Sequence, residues 1–254
     1  MSDRILRKGL IILEHLASSH DGASAIELCE LVGVHKTSIY RYLATLTECG
    51  YVRKESSGRY VLDTKILALG SEMLQRMPLR EVAHPFLVEL SGATSKTTHL
   101  AVLDGLEIIY LDKVEGPKTL PILSRVGNRA PAHCTGIGKA LLSVLPISVA
   151  ETLLQSSTLE SHTDATIIDP QVLLEELART RERGYAVDKG EHELYVRCFA
   201  APVCDYGGRA VAAISITGLI DDFEDPSTRA DLLHHLKRAA VGISNALGSG
   251  SPPY

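Results

Sequence analysis

The sequence predicts an α+β chain in two parts, a small helical unit followed by a larger one built on antiparallel strands. Three observations carry this. Up to about residue 62, apolar residues recur at helical spacing behind recognisable caps. From Thr98 onward, strand-like runs flank two tight turns, Asp104-Gly105 and Asp205-Tyr206-Gly207-Gly208. Helical stretches lie between those hairpins, as an α+β sheet domain requires.

Ile5, Leu6, Leu10, Leu13, Leu16 and Ala17 repeat at intervals of three and four, which predicts a first helix ending at the Ser18 to Gly22 loop. Ser24 followed three residues later by Glu27, ahead of Leu28, Leu31 and Val32, is a capping box, so a second helix starts at Ala25. Gly33 ends it, because only glycine takes a left-handed conformation without a Cβ penalty. A third helix opens near His35, with Ile39, Leu43 and Leu46 on its inner face. Lys36, Thr37, Ser38, Tyr40 and Arg41 then fall on or beside the solvated face. Tyr51 to Lys54 and Arg59 to Leu62 alternate like strands around Glu55-Ser56-Ser57-Gly58, which makes a wing. The module is a winged helix-turn-helix, and those exposed side chains are what a recognition helix offers to phosphates and base edges. Ser24 at a helix N-terminus and Arg59 on the wing complete the predicted DNA-facing set.

Thr64 to Gln75 reads as a linker helix whose apolar residues exceed what a small winged unit can cover, so a second copy is the expected cover. Pro78 ends it. Leu79 to Leu90 predicts a helix, Thr98 to Leu103 and Glu107 to Leu111 a hairpin, and Cys198 to Val203 with Ala210 to Thr217 another. Helices are expected at Gly136 to Leu145, Pro170 to Arg183 and Ser227 to Leu247. The predicted boundaries are 2–62 for the winged unit, 63–77 for the linker, 78–248 for the sheet domain and 249–254 for a disordered tail.

Charge and composition narrow the function classes. The 254 residues carry 26 basic and 31 acidic side chains, a net charge of −5, which argues against indiscriminate coating of nucleic acid. Between Gly33 and Arg59, however, five basic residues face two acidic ones, so positive charge is concentrated on the winged unit. No apolar run is long enough to span a membrane, and Asp3, Arg4, Arg7 and Lys8 interrupt any signal-like core, so the expected location is the cytoplasm. The five scattered cysteines form neither a disulfide framework nor a CxxC zinc pair. No cofactor is expected.

Within the second unit, Ala132 to Leu142 carries the clearest ligand signal. Thr135 is an N-cap, and Gly136 and Gly138 let a ligand approach the unpaired N–H groups of a helix N-terminus, which favour an anion. The spacing fails the phosphate-loop pattern GxxxxGK[ST], so nucleotide binding is rejected. The same glycines also fit simple close packing. Ser215 and Thr217 share one strand face, with Cys198 on the opposing arm of the hairpin, so the three can line one pocket. Two other readings stand beside this one: an enzyme using His133, Cys134 or Cys198, and a metal sensor in which His99, His133 and Cys198 converge on zinc.

The chain resembles the IclR-type transcriptional regulators over nearly its whole length. The likeness rests on Gly33-Val34-His35-Lys36-Thr37-Ser38-Ile39-Tyr40-Arg41, Gly58-Arg59-Tyr60, His99 to Gly105, Ser124 to Gly127, Ala130 to His133, Gly138-Lys139-Ala140, Arg183 to Ala186, Glu191-His192-Glu193 and Val196 to Val203. It implies a C-terminal effector domain of GAF-like fold, a homodimer or homotetramer on an operator with inverted-repeat symmetry, and control, as repressor or activator, by a small metabolite, often a carboxylate or sugar acid. Carried over position by position, the effector pocket comprises Gly136, Ile137, Gly138, Asp188, Cys198, Ser215 and Thr217. Asp188 enters through the resemblance, and as an anion it suits a ligand hydroxyl. Two departures are His35, where relatives commonly place proline, and Thr217, where serine is frequent.

Overall fold

The computed structural model describes residues 2–75, 78–117 and 124–249. The chain divides into two compact units, Met1–Met77 and Pro78–Tyr254.

In the first unit, α1 (Ser2–Ser18), α2 (Ala25–Val32) and α3 (Lys36–Glu48) enclose Ile12, Leu16, Leu28, Ile39 and Leu43, all essentially inaccessible to solvent. The predicted signals act as expected. The Ser24 hydroxyl accepts the Glu27 N–H at 3.3 Å while the Glu27 carboxylate accepts the Ser24 N–H at 2.6 Å. Gly33 takes φ +59° and its N–H reaches back to the Cys29 and Glu30 carbonyls. His35 is the N-cap of α3 and makes no side-chain cap bond, so α3 starts one residue after the predicted opening. The wing is the antiparallel pair β1 (Val52–Lys54) and β2 (Tyr60–Leu62), in which Val52 and Tyr60 turn inward. The predicted linker α4 (Thr64–Gln75) is clustered with this unit. Residues 76 and 77 of the linker lie outside the described residues.

The second unit begins with α5 (Pro78–Thr94), which continues through Pro85 beyond its expected end at Leu90. Strands β3 (Thr97–Asp104), β4 (Glu107–Val114), β5 (Arg129–Pro131), β6 (Ala186–Asp188), β7 (Val196–Cys204) and β8 (Ala210–Leu219) form one antiparallel sheet in the order β5-β4-β3-β8-β7-β6. The first hairpin turns one residue later than expected: Asp104 pairs with Glu107, and Gly105-Leu106 make the turn. β7 and β8 are buried on both faces, which explains their nearly unbroken apolar runs. One face packs on α5 and α9 (Pro226–Ala246), where the Thr98 hydroxyl donates to the Leu87 carbonyl and the Ser244 hydroxyl accepts the Cys204 N–H. The other carries α6 (Gly136–Ser143), with α7 (Ile147–Gln155) and α8 (Pro170–Arg183) beyond it. Strand parity sends Ala101, Ala200 and Ala213 into the core shared with Ile137 and Ala140. Those small residues let α6 lie close to the sheet.

β5, β6, α7 and a 3-10 turn at Ile220–Phe223 were not expected. Three-residue strands have no measurable period, and their pairing is set by partners distant in sequence. Ser249, assigned to a disordered tail, is instead buried and donates its N–H to the Ser244 carbonyl, because Gly248 at φ +87° turns the chain back over α9. The remainder of that tail, 250–254, lies outside the described residues.

Candidate nucleic-acid interface and effector cleft

The winged unit separates the predicted DNA-facing residues into two groups. Lys36, Thr37, Tyr40 and Arg41 on α3 are exposed and Ser38 half-buried, while Ile39 and Leu43 anchor the opposite face. Ser24 and Arg59 are already engaged within the protein. The Arg59 guanidinium donates to the Asp21 and Gly22 carbonyls at 3.0 and 2.9 Å and pairs with Glu27 at 3.1 Å, bracing the wing against the loop before α2. The Ser24 hydroxyl belongs to its cap. Hydrogen bonds from Ser24 hold the Glu27 carboxyl below its ordinary value.

In the second unit, one cleft brings together six of the seven predicted effector residues. Its walls include Gly136, Ile137, Asp188, Cys198, Ser215 and Thr217, and enclose about 410 Å³ including the open mouth. The register explains the convergence, since Cys198 pairs with both Asp188 and Thr217, and Ser215 lies two residues from Thr217 on the same face. Gly136 is needed for the close approach of α6 to β7: a Cβ there would lie 2.7 Å from the Cys198 Sγ. Gly138 is not in the cleft wall. A Cβ on it would lie 2.2 Å from the Ala132 carbonyl oxygen, and its N–H is spent on the Thr135 hydroxyl, so close packing accounts for the glycine at this position.

The cleft also recruits residues that sequence reasoning did not place there: Tyr110, Thr135, His192, Glu193 and Val196, with His99 proposed only as a metal ligand. His99 is buried, with its Nδ1 at 3.3 Å from Ser215 Oγ and 3.4 Å from Thr217 Oγ1, and its Nε2 at 2.7 Å from Ser124 Oγ. Burial, with Lys113 nearby, pushes its pKa down to about 3, so the imidazole is neutral and serves as a hydrogen-bonding spine beneath the hydroxyls. Asp188 differs from the expected anion. Burial raises its pKa to about 7, against the lowering pull of the Glu191 and Gly190 N–H groups, so the carboxyl is substantially protonated near neutrality. Behind it Lys139 is wholly buried, with Nζ at 2.5 Å from the Val187 carbonyl and 2.5 Å from Glu191 Oε1. Among the described residues, no lysine or arginine lines this cleft.

Burial drives the Cys134 and Cys198 thiols up to about 12, which leaves neither as a thiolate nucleophile. All five cysteines are free. The expected His99-His133-Cys198 metal set does not assemble: His99 and Cys198 line the cleft, whereas His133 sits apart with Nε2 at 2.9 Å from the Glu160 carbonyl. Among the described residues, no helix is long and apolar enough to cross a membrane.

A winged helix-turn-helix coupled in sequence to a sheet domain with an open cleft of mixed polar and apolar lining defines a DNA-binding regulator with an effector domain. Comparison with known proteins agrees. A family model described as "IclR helix-turn-helix domain" matches residues 5–56, and one described as "Bacterial transcriptional regulator IclR C-terminal" matches residues 71–245. The chain is 34% identical over 244 residues to the HTH-type transcriptional regulator XynR of Escherichia coli (strain K12), covering 96% of each chain. It is 34% identical over 223 residues to the transcriptional repressor IclR of the same strain, covering 87% of this chain and 81% of that one. Among solved structures, the Thermotoga maritima IclR superposes with a TM-score of 0.79 at 34% identity, covering 96% of this chain and 98% of that one. An IclR homologue from Microbacterium hydrocarbonoxydans, complexed with 4-hydroxybenzoate, gives 0.83 at 25% identity with the same coverage. The chain belongs to the IclR family of transcriptional regulators. Its named relatives are regulators, so the enzyme reading is set aside.

Proposed function

We propose that this regulator, in the cytoplasm, reads an inverted-repeat operator as a homodimer or homotetramer, and that a small carboxylate or sugar acid in the cleft of the second unit modulates binding. The observation that carries the ligand class is the composition of the cleft wall. The start of α6 supplies backbone N–H groups and the positive end of a helix dipole, while Tyr110, Ser215, Thr217 and a protonated Asp188 supply neutral donors. That combination suits one carboxylate flanked by hydroxyls. The 4-hydroxybenzoate in the Microbacterium homologue is a carboxylate and supports the class.

In the winged unit, Lys36, Thr37, Ser38, Tyr40 and Arg41 are the DNA contacts in this reading, with Ser24 and Arg59 contributing at the edges. The half-site geometry follows from a second copy. Ile5, Leu6 and Leu10 of α1 and Leu69 of α4 are exposed apolar side chains bordering one groove, a surface that a partner winged unit would cover. Footprinting on the DNA upstream of this protein's own reading frame, with and without a panel of keto, sugar and aromatic acids, tests the whole reading. The expected result is a protected inverted repeat that one acid releases or tightens. Protection of a single half-site, or an operator response to none of the acids, would overturn the corresponding half of the proposal.

A further inference from the structure

His133, Cys134 and His162 lie outside the wall of the effector cleft, and each offers a ligand atom within 4.8 Å of the other two. We propose that these three side chains form a binding site for a zinc-class divalent cation, a two-imidazole, one-thiolate donor set at the root of α6. This goes beyond the operator and effector reading and does not depend on it.

The geometry is close to what the metal needs. Bond lengths of about 2.0–2.1 Å to nitrogen and 2.3 Å to sulfur in a tetrahedron separate neighbouring ligand atoms by roughly 3.4–3.6 Å. With every pair of ligand atoms within 4.8 Å, the contraction needed is at most about 1.4 Å, within reach of rotamer changes in one exposed side chain, and His162 is exposed. His133 is prepared for the role. Its Nε2 donates to the Glu160 carbonyl at 2.9 Å, which fixes the tautomer and leaves Nδ1 as the lone-pair nitrogen, the arrangement in which metal-binding histidines are usually held. Burial also favours the neutral imidazole.

A second, independent observation concerns Glu191. Its side chain is 4% exposed and Oε1 is bound to Lys139, yet Oε2 has no hydrogen-bond partner among the described residues. Its negative charge acts on both His133 and Cys134. A buried carboxylate oxygen without a partner is costly in the protein alone, and its field at His133 and Cys134 favours a cation held there. The donor set of sulfur and imidazole selects zinc-class ions over calcium or magnesium, which prefer oxygen.

The placement suggests what the cation would hold together. His133 and Cys134 immediately precede the Thr135 cap of α6, and His162 lies in the irregular stretch 156–169, whose Thr163 and Thr166 hydroxyls donate to the Gly190 and Glu191 carbonyls. His162 also stacks edge-on to His192 of the cleft wall, with ring centroids 5.1 Å apart. A bound ion would tie the start of α6 to this loop beside the effector cleft.

The test uses the full-length protein, stripped with a chelator and titrated with Co²⁺, then with Zn²⁺ in competition. The expected result is one ion per chain, visible d–d bands of tetrahedral cobalt, and a near-ultraviolet thiolate-to-cobalt band that Cys134→Ser abolishes. His162→Gln, at an exposed position that does not burden the fold, should weaken Zn²⁺ binding at least about tenfold. Absence of the cobalt bands in folded protein, or retention of the charge-transfer band in Cys134→Ser, or unchanged Zn²⁺ affinity in His162→Gln, would overturn the proposal.

Discussion

Asp188→Asn tests whether the cleft floor is neutral or charged. Asp188 is 4% exposed, and burial raises its pKa from 3.8 to about 7, with Glu191 adding to the rise and Lys139 and two backbone N–H groups opposing it. The folded protein therefore keeps a proton that the unfolded chain releases near 3.8. A carboxyl raised in the folded state contributes stability that is fully present below the unfolded value and is lost as pH climbs through the folded one. At about 1.4 kcal/mol for each pH unit between the two values, the loss from pH 4 to pH 8 is roughly 4 kcal/mol. Asparagine retains an Oδ1 acceptor for the Gly190 and Glu191 N–H groups, which the aspartate holds at 2.9 and 2.8 Å, and it cannot ionise. Urea unfolding followed by far-ultraviolet circular dichroism, run on both proteins across that range, should show the difference between them moving in favour of the variant by roughly that amount. Subtracting one protein from the other cancels every group they share. A difference that stays constant with pH would show that Asp188 is ionised throughout, and the account of the cleft floor would fail.

Arg41→Ala should weaken operator binding and make the dependence of log K on log salt shallower by about one unit, as measured by fluorescence anisotropy; an unchanged slope would show that Arg41 touches no phosphate. Ser215→Ala removes a hydroxyl from the cleft wall and one partner of His99, so calorimetry should show effector affinity about tenfold weaker. Normal affinity would place the ligand elsewhere. Lys139→Met leaves the Glu191 carboxylate buried without its cation, and denaturation should show a loss of about 3–5 kcal/mol, much of it recovered when Glu191→Leu is added. A single-variant loss below about 1 kcal/mol would mean that water already solvates the pair.

What was legible in the sequence is what is encoded locally. The Ser24-Glu27 box, the left-handed Gly33 and the spacing of Ile39 and Leu43 each act within one or two turns, so the reading helix and its exposed face follow from neighbouring residues. Ser215, Thr217 and Cys198 were legible for a similar reason, since strand parity and one hairpin suffice to bring them together. Asp188 came only through the family likeness, because a three-residue strand carries no pattern of its own. Lys139 and Glu191 belong to stretches that carry the family likeness, but their pairing is not legible in the sequence. A lysine in a helix reads as solvated surface, and nothing short of folding shows that a partner 52 residues away waits inside the core. Gly138 lies outside the cleft wall, and a glycine for packing and a glycine for ligand approach look identical in sequence; the Ala132 backbone beneath it accounts for the packing role.

The charge distribution around the cleft then constrains how a carboxylate can be held there. Lys139, behind the cleft floor, is committed to Glu191 and Val187, and among the described residues no lysine or arginine lines the wall. Among the described residues, attraction comes from the N-terminal N–H groups of α6, a fixed partial charge equivalent to roughly half a proton, and from neutral hydroxyls. Against this stand two acidic residues of the wall, Asp188 and Glu193. Were both ionised, the balance would oppose an anion; with Asp188 protonated, one repulsive charge becomes a donor. Carboxylate affinity should therefore fall as pH rises through about 7, the pKa of Asp188, while the affinity of a neutral polyol of similar size should not.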